Sequence, residues 1–160
     1  MKAKITDYFI KNCKDAANKQ HLWYAIDDRH DYIMYSMDNI IAYIVEYDAR
    51  LHAIFEAVKA PERNYGETYL LIFRGENEIE SGKLDNAARY KFHDHTYLHI
   101  DDYMFDYDYI KRKIPKGDIN YSAYRCGQNG RFAILVIKEG YAACITIISC
   151  AYKKVGYGNG

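Results

Sequence analysis

The chain is poor in the features that mark specialised architecture. Two prolines and ten glycines in 160 residues exclude collagen-like and low-complexity architecture. Cys13, Cys126, Cys144 and Cys150 contain no Cys-x-x-Cys pair. That excludes a disulfide framework and agrees with a reducing compartment, with the thiols read as small buried hydrophobes. Cys126, between Arg125 and Gly127, is expected in a turn, where a thiol is exposed and ionisable. The longest uncharged apolar stretch, Tyr141 to Tyr152, is too short to span a bilayer. Asp7 and Lys11 interrupt the N-terminus before a signal-peptide core can form. No G-x-S-x-G, Walker loop or G-x-G-x-x-G occurs, which removes the commonest nucleophile and phosphate-binding signatures. The expectation is one cytoplasmic domain over 1–155 with a flexible glycine-rich tail at 156–160.

What the chain has in excess is tyrosine, 18 of 160 residues, and a charge asymmetry hidden by a formal net charge of zero. Up to Tyr109 there are 20 acids against 13 Lys and Arg, and from Ile110 onward nine Lys and Arg against two acids. An acidic first part and a basic end argue against a uniform basic face for nucleic acid.

Hydrophobic spacing predicts helices over Thr6–Asn18, capped by Thr6, and over Ala49–Lys59, capped by Asp48 and stopped by Pro61. Leu22–Asp27 and Tyr32–Ser36 around Asp27-Asp28-Arg29-His30-Asp31 read as a hairpin, and Ile40–Glu46 as a third strand. Thr68–Phe73 reads as a strand, Gly75–Asn86 as a loop, and Arg89–Tyr103 as one long alternating segment. Asp106–Lys113 is undecided. Ser122–Cys126, Phe132–Ile137 and Tyr141–Tyr152 read as strands, with turns at Gly127–Gly130 and Lys138-Glu139-Gly140. The fold class that follows is α+β, an antiparallel sheet of hairpins with two helices. The order of elements, and the closing pair Arg131–Ile137 and Tyr141–Ser149, resembles one domain of a DNA sliding clamp. That resemblance implies a processivity accessory as one alternative function.

Two constellations carry chemistry. In Lys91-Phe92-His93-Asp94-His95-Thr96-Tyr97-Leu98-His99-Ile100-Asp101, strand alternation puts His93, His95, Tyr97, His99 and Asp101 on one face. Two histidines at i and i+2 then sit roughly 6.5–7 Å apart, a separation from which imidazoles converge on one metal ion. His93 and His95 are the candidate zinc ligands, with Cys126 as the third and His30 or an aspartate to close the site. A closed structural zinc is expected. A small metal-dependent enzyme built on the His93-x-His95 strand is the alternative.

The second constellation is Asp101-Asp102-Tyr103-Met104-Phe105-Asp106-Tyr107-Asp108-Tyr109, four aspartates and three tyrosines with no positive charge. Spaced carboxylates imitate a nucleic-acid backbone, and tyrosine supplies rigid contact area. Asp101, Asp102, Tyr103, Asp106, Tyr107, Asp108 and Tyr109 are therefore the candidate partner-binding residues. With these stretches and the His93/His95 pair, the chain is similar in style to phage-encoded anti-CRISPR inhibitors of type II systems, some of which bind zinc. Those inhibitors share no motif, so no residue is carried over from them. The resemblance implies a non-enzymatic inhibitor acting in the host cytoplasm. Its partner would be an RNA-guided nuclease or another nucleic-acid-handling protein, with no direct nucleic-acid or membrane contact.

Overall fold

The computed structural model describes residues 2–15, 21–38, 41–72, 77–114, 119–126, 132–139 and 144–150. The expected turn Gly127–Gly130, the break at Pro115 to Gly117 and the tail 156–160 lie outside the described residues, as do 16–18, 141–143 and 151–152. The fold is α+β, with antiparallel sheets and helices, as composition and periodicity predicted. The chain clusters into two compact units, one within Met1–Phe73 and Tyr141–Ile147, the other within Arg74–Gly140 and Ile148–Gly160.

In the first unit, α1 (Lys2–Asp15) starts before the expected Thr6 cap, so Thr6 lies inside the helix. Nothing in Lys2-Ala3-Lys4 opposes a helix, and all three are good helix formers. Strands β1 (Trp23–Ile26), β2 (Tyr32–Ser36) and β3 (Ile41–Glu46) form an antiparallel meander. The β1–β2 turn is held by Asp27, whose Oδ1 accepts from the Tyr32 N–H at 2.7 Å. The register aligns Tyr24, Tyr35 and Tyr43 in one row across the three strands. Phe9 from α1 and Phe55 from α2 (Ala49–Ala57) lie on that row, with ring centroids 5.4 Å (Phe9–Tyr43), 5.4 Å (Tyr35–Phe55) and 5.1 Å (Tyr24–Phe55) apart. This five-ring cluster is at the core of the unit, and all five residues are buried.

Helix α2 carries the predicted cap: Asp48 Oδ1 accepts from the Arg50 N–H at 2.8 Å. It ends in a left-handed residue, Lys59 at φ 56. The Ala60 N–H bonds to the Phe55 carbonyl and the Lys59 N–H to that of Glu56, the paired bonds of a Schellman stop. Burial pushes the Cys13 thiol up to about 12, so it stays protonated and unreactive at neutral pH.

The expected strand Thr68–Phe73 is, over its described residues 68–72, instead part of helix α3 (Tyr65–Ile72). Asn64 explains the reversal. Its Oδ1 accepts from the Glu67 N–H at 2.9 Å, and its carbonyl takes the first helical bond, from the Thr68 N–H at 3.1 Å. Asn64-x-x-Glu67 is a capping-box spacing, which outweighed the β propensity of the residues that follow.

In the second unit, part of the expected loop Gly75–Asn86 is strand β4 (Asn77–Lys83), followed by a 3-10 turn at Leu84–Asn86. Its polar sequence gives no strand signal. The ladder is imposed by pairing with β8 (Ile119–Cys126), through a register shift between Glu78 and Glu80. Strand β8 also pairs with β9 (Phe132–Glu139), where Lys138 and Glu139 continue the strand instead of turning. Strand β10 is Cys144–Cys150.

The segment expected as one strand, Arg89–Tyr103, is a folded meander: β5 (Arg89–Phe92), β6 (His95–Ile100) and β7 (Tyr103–Asp106). His93 and Asp94 form the first turn, at φ 49 and φ 63, and Asp101 at φ 55 begins the second. Two consecutive positive-φ residues joining paired strands make a type I′ hairpin loop, whose twist matches that of the strands. The undecided segment becomes α4 (Tyr107–Lys113), capped by Asp106, with Lys111, Arg112 and Lys113 in its last turn complementing the helix dipole.

Candidate functional site

The β5–β6–β7 sheet has two unlike faces. Cross-strand partners share a face, so the register places Leu98, Ile100, Tyr103 and Phe105 together, and all four are at most 1% exposed. The opposite face carries Tyr90 and Phe92 from β5, His95, Tyr97 and His99 from β6, and Met104 and Asp106 from β7. Here every residue is exposed or half-buried. Phe92, at 52%, is the most exposed large hydrophobic among the described residues, and Tyr90 stands at 39%. The two rings stack with centroids 6.3 Å apart. His93 packs edge-on to Phe92 at 4.0 Å, and His95 lies 5.0 Å from Tyr97. An outer sheet face is ordinarily dressed with charged and small polar side chains. This one is aromatic and histidine-rich.

At the edge of that face three side chains converge. His95 Nε2 lies 2.7 Å from Asp106 Oδ1, and His95 Nδ1 lies 3.6 Å from Asp108 Oδ2. Each carboxylate is itself anchored by the backbone. Asp106 Oδ1 accepts from the Tyr109 N–H at 2.9 Å as the α4 cap, and Asp108 Oδ2 accepts from the Thr96 N–H at 2.9 Å. His95, Asp106 and Asp108 have donor atoms mutually within 4.8 Å, and among the described residues theirs is the one group of three or more that could hold a metal ion.

The zinc set expected from sequence is not assembled this way. His93 and His95 do not alternate along one strand, because His93 sits in the hairpin turn. Cys126 is neither exposed nor in a turn: it ends β8, is 1% exposed, and its thiol reaches the Tyr124 carbonyl at 3.6 Å. Neither His93 nor Cys126 joins the three-donor group. Of the predicted trio, His95 alone lies in it, beside two aspartates that had been assigned to partner binding.

The acidic-aromatic run is likewise divided by its fold. Tyr103 and Tyr107 are buried, at 1% and 8% exposure. The Arg89 guanidinium lies over the Tyr107 ring at 4.5 Å, and the Lys113 ammonium over Tyr109 at 5.6 Å. Asp101 bonds Arg125 Nη2 at 2.7 Å, a contact that pushes the Arg125 guanidinium further up. Asp102 is half-buried. The exposed aromatic surface of this sheet therefore comes from Tyr90 and Phe92, with half-buried Tyr97 beside them, and sequence reasoning assigned none of the three to partner binding. Asp106 preceding a short segment that ends in three basic residues was a legible helix signal, and it would have moved the two aspartates off a strand. The chain matches no protein-family model, no curated protein and no solved structure.

Proposed function

We propose that the chain is a non-enzymatic binding protein that occludes a nucleic-acid-handling partner, with the outer face of the β5–β6–β7 sheet as its contact surface. The observation that carries this is the exposed Tyr90–Phe92 stack continuing into Tyr97. Aromatic anchors dominate binding energy at interface centres. Asp94 at one end of the face, Asp102 at the other and Asp106 with Asp108 beside His95 set carboxylates around it. An aromatic centre with an acidic rim complements a basic, partly apolar surface, the kind that grips nucleic acid.

The test uses a type II RNA-guided nuclease, with and without its guide, as the probe. Binding by interferometry and inhibition of DNA cleavage are read together. Tyr90→Ser with Phe92→Ser is expected to weaken binding more than tenfold. Asp94→Lys with Asp102→Lys is expected to weaken it and to flatten its salt dependence. Affinity and salt dependence both unchanged in that variant would remove the charge argument, and no inhibition by the wild-type chain would remove this partner class.

A metal-dependent enzyme is the second reading, favoured by the convergence of His95, Asp106 and Asp108. Turnover of phosphodiester, ester or nucleotide substrates that a chelator abolishes would replace binding as the function.

A further inference from the structure

The geometry points to a divalent transition-metal site, zinc foremost, with His95 Nδ1 and Asp108 as ligands and Asp106 as the residue that orients the imidazole. The inference does not depend on the binding function above.

It begins with the two unequal contacts of one ring. Asp106 Oδ1 lies 2.7 Å from Nε2, an ion-pair contact whose negative charge favours the proton on that nitrogen. The same oxygen also accepts the Tyr109 N–H at 2.9 Å, so the carboxylate is fixed from the backbone and cannot follow the ring. In the neutral imidazole this tautomer leaves a lone pair on Nδ1. Nδ1 lies 3.6 Å from Asp108 Oδ2, beyond hydrogen-bond length. An acceptor nitrogen and a carboxylate oxygen at that separation repel unless a cation lies between them.

Two donors each about 2.0–2.1 Å from a zinc ion, at tetrahedral to trigonal angles, are roughly 3.3–3.6 Å apart. The observed gap matches that separation. Asp108 Oδ2 is held in place by the Thr96 N–H at 2.9 Å, so both donors are positioned before any ion arrives. An imidazole ligand whose far N–H is held by a carboxylate is the usual outer-shell arrangement at zinc. The side chains of His95, Asp106 and Asp108 are 38%, 33% and 43% exposed, which leaves the other coordination positions to water. The nitrogen donor selects a first-row transition ion over Mg2+ or Ca2+, which take oxygen donors.

The competing occupant of the gap is a proton, making His95 an imidazolium. Nitrogen-15 spectra of the chelator-treated full chain at pH 7.5 distinguish the two, before and after addition of zinc alone. Expected is the Nε2–H tautomer without metal, a zinc-dependent shift of the His95 Nδ1 resonance saturating below about 100 µM, and at least a tenfold loss of affinity in Asp108→Asn. Asp106→Asn is expected to scramble the tautomer while the His95 resonances stay those of a folded chain, the signature of a positioning residue. A doubly protonated His95 that zinc does not perturb would overturn the proposal. So would zinc binding that leaves His95 unshifted, or equal binding of Mg2+.

Discussion

Replacing the first turn of the β5–β6–β7 meander, His93→Asn with Asp94→Gly, is expected to stabilise the protein. The turn has φ 49 at His93 and φ 63 at Asp94, and Asn-Gly is the favoured pair for a type I′ loop. An L-residue in this region carries a penalty of about 1–2 kcal/mol, less for Asp and Asn. Glycine at position 94 returns part of the relief, about 0.4–1 kcal/mol, as added freedom of the unfolded chain. The edge contact of His93 with Phe92, at 4.0 Å, is lost and subtracts a few tenths more, at the low end for exposed aromatic pairs. The net expectation is about 1 kcal/mol of stabilisation, or about 2–4 °C in Tm for a chain of this size. Thermal unfolding followed by circular dichroism, paired with a zinc titration, measures both consequences at once. A lowered or unchanged Tm would refute the strained-turn assignment. A drop in zinc affinity would restore His93 as a ligand and refute the placement of the site at His95 and Asp108.

Three further outcomes are expected. Phe55→Ala removes a fully buried ring that touches both Tyr24 and Tyr35, and urea titration should register a loss of about 3–5 kcal/mol. Lys59→Gly relieves the left-handed residue at the α2 stop, φ 56, and should raise stability by about 0.5–1 kcal/mol in the same assay. The raised thiol of Cys13, from 9.0 to about 12, and the raised phenol of Tyr65, from 10.0 to about 12, both owed first to burial, predict alkaline unfolding. Both groups favour the fold fully below their unfolded values and lose that contribution as pH rises from 9 toward 12. Tm measured from pH 8 to 11.5 should fall steeply, and less steeply in Cys13→Ala.

The sequence by itself determined the elements whose signals are local. Asp48, Leu51 and Phe55 mark a capped amphipathic helix, and α2 forms with that cap made. Tyr32–Ser36, bounded by charge, forms strand β2 at the predicted bounds, because an aromatic and β-branched run beside a polar turn needs no distant partner. The tertiary structure decided everything that depended on pairing. Asn77–Lys83 has no apolar pattern and becomes a strand because β8 offers its backbone a ladder. Arg89–Tyr103 alternates along its whole length, and alternation specifies faces without specifying where a chain reverses. The reversal at His93-Asp94 separates two histidines that a continuous strand would have aligned, and the return through β7 into α4 carries Asp106 and Asp108 to His95 instead. Spacing along the chain fixes which residues lie near one another only while the backbone stays extended. Donors 11 and 13 positions from His95 meet it because the turn at Asp101-Asp102 folds β7 back along β6 and α4 follows directly from it.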